Sequence, residues 1–303
     1  MSALHALLPE EGATFLEVAD RFMAEQIASE VLRWDAGLVE PADQGLELLE
    51  ALGLTELLAY EELGAPRERL AVLLAAGREL GRVDAGMAMA ALTTALTEQA
   101  LGTRAGFGVE VRRPQGRAVV ALVAGQERIV LVAEDGGASL VPVGQGGAPL
   151  LGLRLGGGRL LDPLVEAGTV ISGSIAGRLG DQLSIAAVAA AVGAAEGSIR
   201  VAADYAGVRY QGGALISRHH AVQELLRGMR RRVAHAEILL VHLLGGDDDE
   251  LRAHHLCSAL AACDEAVTDG VQVLGGYGYM REYGQEKRMR DVKTLRLLFG
   301  PAG

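Results

Sequence analysis

The chain has little with which to cross-link itself, stack on a flat ring or grip a polyanion. It carries two cysteines, Cys257 and Cys263, in 303 residues. That is too few for a disulfide framework and fits a reducing, cytoplasmic compartment. Aromatic residues make up 4% of the chain, with one tryptophan, Trp34, so a flavin would find few aromatic partners. Lys and Arg number 28 against 39 Asp and Glu, for a formal net charge of −11. This argues against nucleic acid bound over the whole surface. The most apolar run, Leu183 to Val192, is far short of the roughly 20 residues that span a bilayer and reads as a buried helix. Met1-Ser-Ala-Leu-His5 lacks a basic stretch followed by an apolar one, so it does not read as a secretory signal.

What is abundant is small and apolar. Half the residues are hydrophobic and 41 are glycine, which excludes a disordered chain and suits close helix packing around a glycine-rich segment. Residues 1–104 show helical spacing of apolar residues. Within them Gly45–Gly53 reads as a short helix after Pro41, and longer helices follow at Pro66–Leu80 and Asp84–Leu101, with Asp84 as an N-cap. The texture changes near residue 105. Arg117–Gly125, Glu127–Asp135, Ala138–Gly144, Leu150–Leu155 and Gly168–Gly173 are β-rich runs. They are punctuated by Gly136-Gly137, Gly146-Gly147 and Gly156-Gly157-Gly158. Residues 105–176 therefore predict a small β domain of five or six strands. Residues 177–303 return to helix, with long helices at Asp181–Arg209, Ser217–Leu244 and Glu250–Leu274 that suggest a bundle. Asp247-Asp-Asp-Glu250 reads as a solvated turn.

The C-terminus carries the most specific signal. Val271-Gln-Val-Leu-Gly-Gly-Tyr-Gly-Tyr-Met-Arg-Glu-Tyr283, then Glu286-Lys-Arg-Met-Arg-Asp-Val-Lys293, closely resembles the signature of the acyl-CoA dehydrogenase family. Glu79-Leu-Gly-Arg-Val-Asp-Ala-Gly86, and Ala191-Val-Gly-Ala-Ala-Glu-Gly197 continuing to Tyr205-Ala-Gly-Val-Arg-Tyr-Gln211, are similar to further motifs of that family. The resemblance implies an α+β, mostly α fold: an N-terminal helical domain, a middle β domain, shortened here, and a C-terminal four-helix bundle that builds oligomers. It also implies a reaction. A carboxylate removes the α-proton of an acyl-CoA thioester while the β-hydrogen leaves as hydride to FAD. Such a base must be close and desolvated, and the thioester oxygen must be hydrogen-bonded as it gains enolate charge.

The chain departs from the family where that chemistry sits. The register from Met289-Arg-Asp-Val-Lys puts Phe299 at the usual base position and Pro301 at the following Thr position. The family's second base position, counted back from Ala191-Val-Gly, falls on Leu183. Neither residue accepts a proton, so no catalytic residue is assigned. Asp181 lies two residues from Leu183, but a helix turns about 200° over two residues, so it reads as a helix N-cap. Residues 105–176 lack the family's flavin-holding Leu-Thr-Glu-Pro-like and Trp-Ile-Thr-like strands and form a markedly shorter β region. Ala95-Leu-Thr-Glu98 echoes the first of these but reads as a surface helix.

The half-site that a family member donates to its neighbour's FAD is matched. Arg209, Gln211, Gln272, Gly275 and Gly276 stand at its positions. An arginine fork suits a pyrophosphate, and paired glycines let backbone approach a nucleotide. Gly212 replaces the family's Phe in the loop. This pattern resembles the truncated, baseless subunit of actinobacterial heteromeric (α2β2) acyl-CoA dehydrogenases, many of which act on steroid side-chain CoA thioesters. It implies a catalytic partner subunit, a shared FAD, an acyl-CoA substrate in the complex, and no nucleic acid or membrane partner. Two other readings stay open: a flavin-free structural or binding protein, and a repurposed flavoenzyme, which a polar residue facing Phe299 would favour. His219 and His220 read as partly buried helix histidines. Arg227, Arg230, Arg231 and Arg232 read as a solvated or interface face. His254, His255, Cys257 and Cys263 do not converge at tetrahedral spacing, so no metal is assigned.

Overall fold

The computed structural model describes residues 3–37, 42–113, 116–123, 125–133, 137–143, 147–161, 168–246 and 249–300. Pro41, Gly136, Gly144, Gly146, Asp247, Asp248 and Pro301 lie outside them.

The first third is helical. Helix α1 (Glu10–Phe22) runs through a π turn to the short α2 (Val31–Asp35), and α3 (Ala42–Ala51) stops before Gly53, whose φ is +77°. Helices α4 (Pro66–Val83) and α5 (Ala85–Leu101) are the two largest elements here. Pro66 opens α4, where a missing N–H costs nothing, and Glu68 accepts from the Ala65 N–H at 2.7 Å. Asp84 caps α5 as expected, accepting from the Met87 N–H at 2.7 Å. Helix α5 is buried from Ala85 to Thr97. Ala95-Leu-Thr is therefore helical but in the core, not on the surface.

Among the described residues the sheet has seven strands: β1 (Gly106–Arg113), β2 (Gly116–Leu122), β3 (Arg128–Val132), β4 (Ala138–Pro142), β5 (Ala148–Pro149), β6 (Gly158–Leu161) and β7 (Thr169–Val170). Their order is β5-β6-β2-β1-β3-β4-β7. The β1–β3 pair is parallel and the other pairs are antiparallel. Alternate residues face opposite ways. Val119, Ala121, Ile129, Val141 and Leu161 form a small cluster of their own, while Phe107, Leu122, Val130 and Leu140 join the main core. The sequence missed β1, whose Gly106-Phe-Gly108 start reads as a turn. It also placed a strand at Leu150–Leu155, where the structure has turns. Leu153 adopts φ +55° there, its N–H held at 2.6 Å by the Asp291 carboxylate.

Four long helices complete the chain: α6 (Gly173–Val208), α7 (His220–Gly245), α8 (Asp249–Leu274) and α9 (Gln285–Phe299). Helix α6 begins eight residues before the expected Asp181. It is apolar and long enough to cross a membrane by composition, but 78% of its apolar window is buried inside the protein. Gly81 on α4 and Gly193 and Gly197 on α6 bring the two helices so close that a Cβ at any of them would strike the other backbone.

Helix α9 is charged, and its charges tie the parts together. Lys287 lies between Asp84 and Asp291, with Asp291 at 2.6 Å, and all three are buried. Arg290 reaches Asp35 at 2.9 Å and Glu286 at 2.6 Å. Lys293 and Arg296 reach Asp264 on α8 at 2.6 and 2.7 Å.

Candidate functional site

The two residues that the resemblance sets at base positions lie on α6 (Leu183) and on the last turn of α9 (Phe299). Gln285 donates to the Ser198 carbonyl at 3.0 Å. From that contact a rise of about 1.5 Å per residue puts Leu183 and Phe299 each roughly 21–23 Å further along its own helix. Leu183 is 1% exposed and Phe299 7%. The Phe299 ring stacks on Phe107 of β1, with centroids 5.1 Å apart and planes 18° apart. An aromatic pair thus fills the position where a base would stand, and the ring that faces Phe299 is apolar. Asp181 is half-exposed, 3.8 Å from Arg252 of α8, and sits inside α6 rather than capping it. Ser172 is at the N-cap.

The other end of α6 is open and polar. Arg209 follows the last turn and leads into a two-residue hairpin, β8 (Tyr210–Gln211) and β9 (Ala214–Leu215). Gly212 and Gly213 make its turn with φ of +60° and +83°, the conformation such hairpins need. The Arg209 guanidinium lies over the Tyr277 ring, 5.5 Å from its centre, and Arg209 makes no ion pair among the described residues. Tyr277 also packs on Tyr205 and Tyr283 at 6.0 and 5.8 Å. This cluster fixes the hairpin beside the turn that follows α8. Gln211, Gln272, Gly275 and Gly276 are all exposed. The space around Gly275 and Gly276 is open, and Gly275 has φ +59°. The structure therefore sets Arg209 over Tyr277, which follows Gly275 and Gly276 in the chain, with Gln211 further along the hairpin and Gln272 on the last turn of α8. The set fits a nucleotide: a positioned, unpaired arginine, two amides and uncovered glycine backbone. Tyr277 was missed as the positioning residue. Its signal was the tyrosine set within Gly275-Gly-Tyr-Gly-Tyr279.

Other expected sites have structural explanations. His219 bonds the Gln211 carbonyl at 3.0 Å and braces the hairpin. His220 is exposed, 3.9 Å from Glu224, rather than partly buried. Arg227 pairs with Glu224, and Arg232 bridges α7 to Glu265 and Asp269 on α8 at 2.8 Å each. Cys257 is exposed, and Cys263 is buried with its thiol pushed up by burial. His255 stacks near His242 with ring centres 5.7 Å apart.

Charges deep in the protein were not legible as a group. Arg78 bonds Glu196 and lies 3.8 Å from Glu237, while Arg82 bonds Glu79 and, at 2.7 Å, Glu196. Burial raises the Glu79 carboxyl, and the arginines oppose that rise. Burial pushes Asp291 up to about 6 against the pull of Lys287. Burial pulls Lys287 down, but Asp291 and Asp84 outweigh it and raise it. These groups join α4, α6, α7 and α9.

Residues 182–303 match the family described as acyl-CoA dehydrogenase, C-terminal domain. An acyl-CoA dehydrogenase of Bacillus subtilis is 29% identical over 163 residues, covering 49% of this chain and 43% of that protein. The chain thus spans less than half the length of the curated relatives it matches. Solved structures extend the likeness to the whole fold. Butyryl-CoA dehydrogenase from Megasphaera elsdenii aligns with a TM-score of 0.72 at 20% identity, covering 97% of this chain and 95% of that one. Glutaryl-CoA dehydrogenase from Mycobacterium smegmatis in complex with FADH2 aligns with a TM-score of 0.74 at 16% identity, covering 98% and 92%. Residues 182–303 thus match the acyl-CoA dehydrogenase C-terminal domain, and along its length the chain shares the fold of solved acyl-CoA dehydrogenases.

Proposed function

We propose that this chain is the non-catalytic subunit of a heteromeric, FAD-dependent acyl-CoA dehydrogenase, and that it completes the FAD site of a catalytic partner in a cytoplasmic α2β2 assembly. One observation carries the reading: both base positions are filled by buried apolar side chains, Leu183 and Phe299, while Gln211, Gln272, Gly275 and Gly276 stand exposed, and Arg209 half-buried, at the far end of α6 and α8. Loss of function by drift would not sort the two ends in this way.

Arg209, steered by Tyr277, would hold the pyrophosphate oxygens with its fork. Gln211 and Gln272 would donate or accept at the nucleoside, and Gly275 and Gly276 would let backbone come close. Bound FAD supplies the hydride acceptor for the desaturation. Removal of the α-proton falls to the partner's carboxylate, since Phe299 stacked on Phe107 has no group to receive it. The acyl group is bulky in this reading, a steroid side-chain CoA thioester, because the middle sheet is short.

Co-expression with a full-length family member encoded beside it tests the reading. The expected result is a colourless isolated chain and a yellow complex that oxidises an acyl-CoA, preferring steroid side-chain thioesters over short acyl chains. Arg209→Ala should cut flavin affinity of the complex about tenfold, as loss of a hydrogen bond to a charged group does. A homomer that binds stoichiometric FAD and oxidises acyl-CoA unaided would overturn it. A complex with no flavin under any pairing would instead favour a structural role.

A further inference from the structure

Helices α2, α6 and α9 and the α4–α5 junction enclose a cavity of about 260 Å³ whose rim and floor carry Arg200, Arg288 and Arg82. It lies about 16 Å along α9 from Phe299 and about 25 Å along α6 from Leu183, away from both base positions. Its cations are not equivalent. Arg82 is matched by Glu79 and Glu196. Lys287, also on the wall, is matched by Asp84 and Asp291. Arg288 and Arg200 make no ion pair among the described residues.

Arg288 donates to two backbone carbonyls, Gly284 at 3.0 Å and Arg82 at 3.4 Å, and its buried Nε has no partner. Burial, and then the like charge of Arg200, disfavour its charged form and outweigh the pull of Asp84 and Asp291. Two guanidinium groups facing one cavity without a carboxylate between them is a costly arrangement. Glu282 lines the same cavity but is exposed, and Asp84 and Asp291 are committed to Lys287. The remaining wall is apolar, with Val31, Leu32 and Val83, and the Tyr283 ring closes one side.

We propose that this cavity binds a phosphate monoester, with the phosphate between Arg288 and Arg200 and its organic body against Tyr283, Val31 and Leu32. A phosphate monoester carries close to two negative charges near neutral pH, which matches two unpaired arginines. Guanidinium forks suit its oxygens, and the apolar wall suits an ester body better than a bare ion.

Titration calorimetry on the full chain, in phosphate-free buffer at constant ionic strength, tests the site with inorganic phosphate, phenyl phosphate and benzoate. Phenyl phosphate should bind more tightly than inorganic phosphate, and benzoate most weakly. Arg288→Met should weaken phenyl phosphate about tenfold or more, as expected for lost charged hydrogen bonds. In the absence of ligand it should also raise the melting temperature, because an unpaired buried charge has gone. A purely structural arginine would lower it. Arg200→Gln, at the exposed rim, should weaken binding severalfold with no change in melting, and decides the matter if Arg288→Met does not fold. Absence of phosphate binding to the wild type would overturn the proposal, as would unchanged affinity in the folded variants. Benzoate binding as tightly as phenyl phosphate would overturn the assignment to phosphate.

Discussion

The base-position end and the half-site end have opposite character although α6 reaches both. At one end Leu183 and Phe299 are buried, and Phe299 stacks on Phe107 across from the sheet. At the other, Gln211, Gly275 and Gly276 are uncovered, and the half-buried Arg209 lies over the Tyr277 ring. Apolar closure at the first end contributes stability and removes a proton acceptor. Polar exposure at the second contributes no core, and in the proposed function its order serves a shared nucleotide. A dehydrogenase working alone would need chemistry at the first end and pyrophosphate contacts at the second. In the proposed function, this chain serves only the second.

The largest effect is expected where both ends share a support. Lys287 fixes α9 to Asp84 at the α4–α5 junction, and Asp291 beside it holds the Leu153 N–H of the loop leading to β6. Lys287→Met would leave two buried aspartates facing each other. Breaking such a set by removing one partner costs about 3–5 kcal/mol. Urea unfolding should show that loss, with both the Phe107–Phe299 end and the Tyr277 end loosened. A neutral result would mean that α9 is held by its outer pairs to Asp35 and Asp264 alone.

Next in size is the sealed end itself. Phe299→Ala should cost about 3 kcal/mol, near the low end for a buried phenylalanine because it sits on the last helical turn. Flavin affinity of the complex should not change. Phe299→Glu should be worse for stability, since a carboxylate would be buried against Phe107. It should not restore activity to the isolated chain. Acyl-CoA oxidation by that variant alone would show that only the base was missing and break the contrast between the ends.

How much of this was legible in the sequence depends on how local the cause is. The starts of α4 and α5 were, because Pro66 and the Asp84 cap act within one turn. That Arg209 would come beside the turn after α8 fits the reading of its run and of the Gly275-Gly276 run as parts of one half-site. Strand β1 was missed because Gly106 and Gly108 weaken a strand signal that its neighbours β2 and β3 supply. The expected strand at Leu150–Leu155 failed for a distant reason: an Asp291 carboxylate 138 residues away holds Leu153 in a turn. That the resemblance sets Phe299 at a base position was readable. That Phe107 covers it was not, because strand and helix meet only in the folded chain. Arg288 looked like one more charge in a basic run, and only its surroundings show that it lacks a partner.

A smaller effect separates the clamp from the sealed end by pH. Asp291 is pushed up to about 6 from an ordinary carboxylate value of 3.8. Between those values the folded state binds more protons than the unfolded one. Its contribution therefore grows as pH falls below about 6 and is lost as pH rises through it. Urea unfolding of wild type and Asp291→Asn at pH 7 and pH 5 should show the wild-type advantage growing by on the order of 1 kcal/mol. The deficit of Phe299→Ala should be the same at both values. The opposite sign for Asp291 would mean that Lys287 outweighs burial there.

The smallest effect on folding is the sharpest test of the open end. Gly275 has φ +59°, so Gly275→Ala strains the backbone by about 1–2 kcal/mol, and any loss of flavin would be confounded with that strain. Gly276 has no positive φ and nothing within 4 Å of an added Cβ. Gly276→Ala should therefore leave stability within about 0.5 kcal/mol. In the complex the added methyl group would stand where backbone must approach the nucleotide, so flavin should be held more weakly at unchanged melting temperature. A variant with full flavin occupancy would show that the open glycine pair is a helix ending and nothing more, and the case for the half-site would then rest on Arg209 and the glutamines.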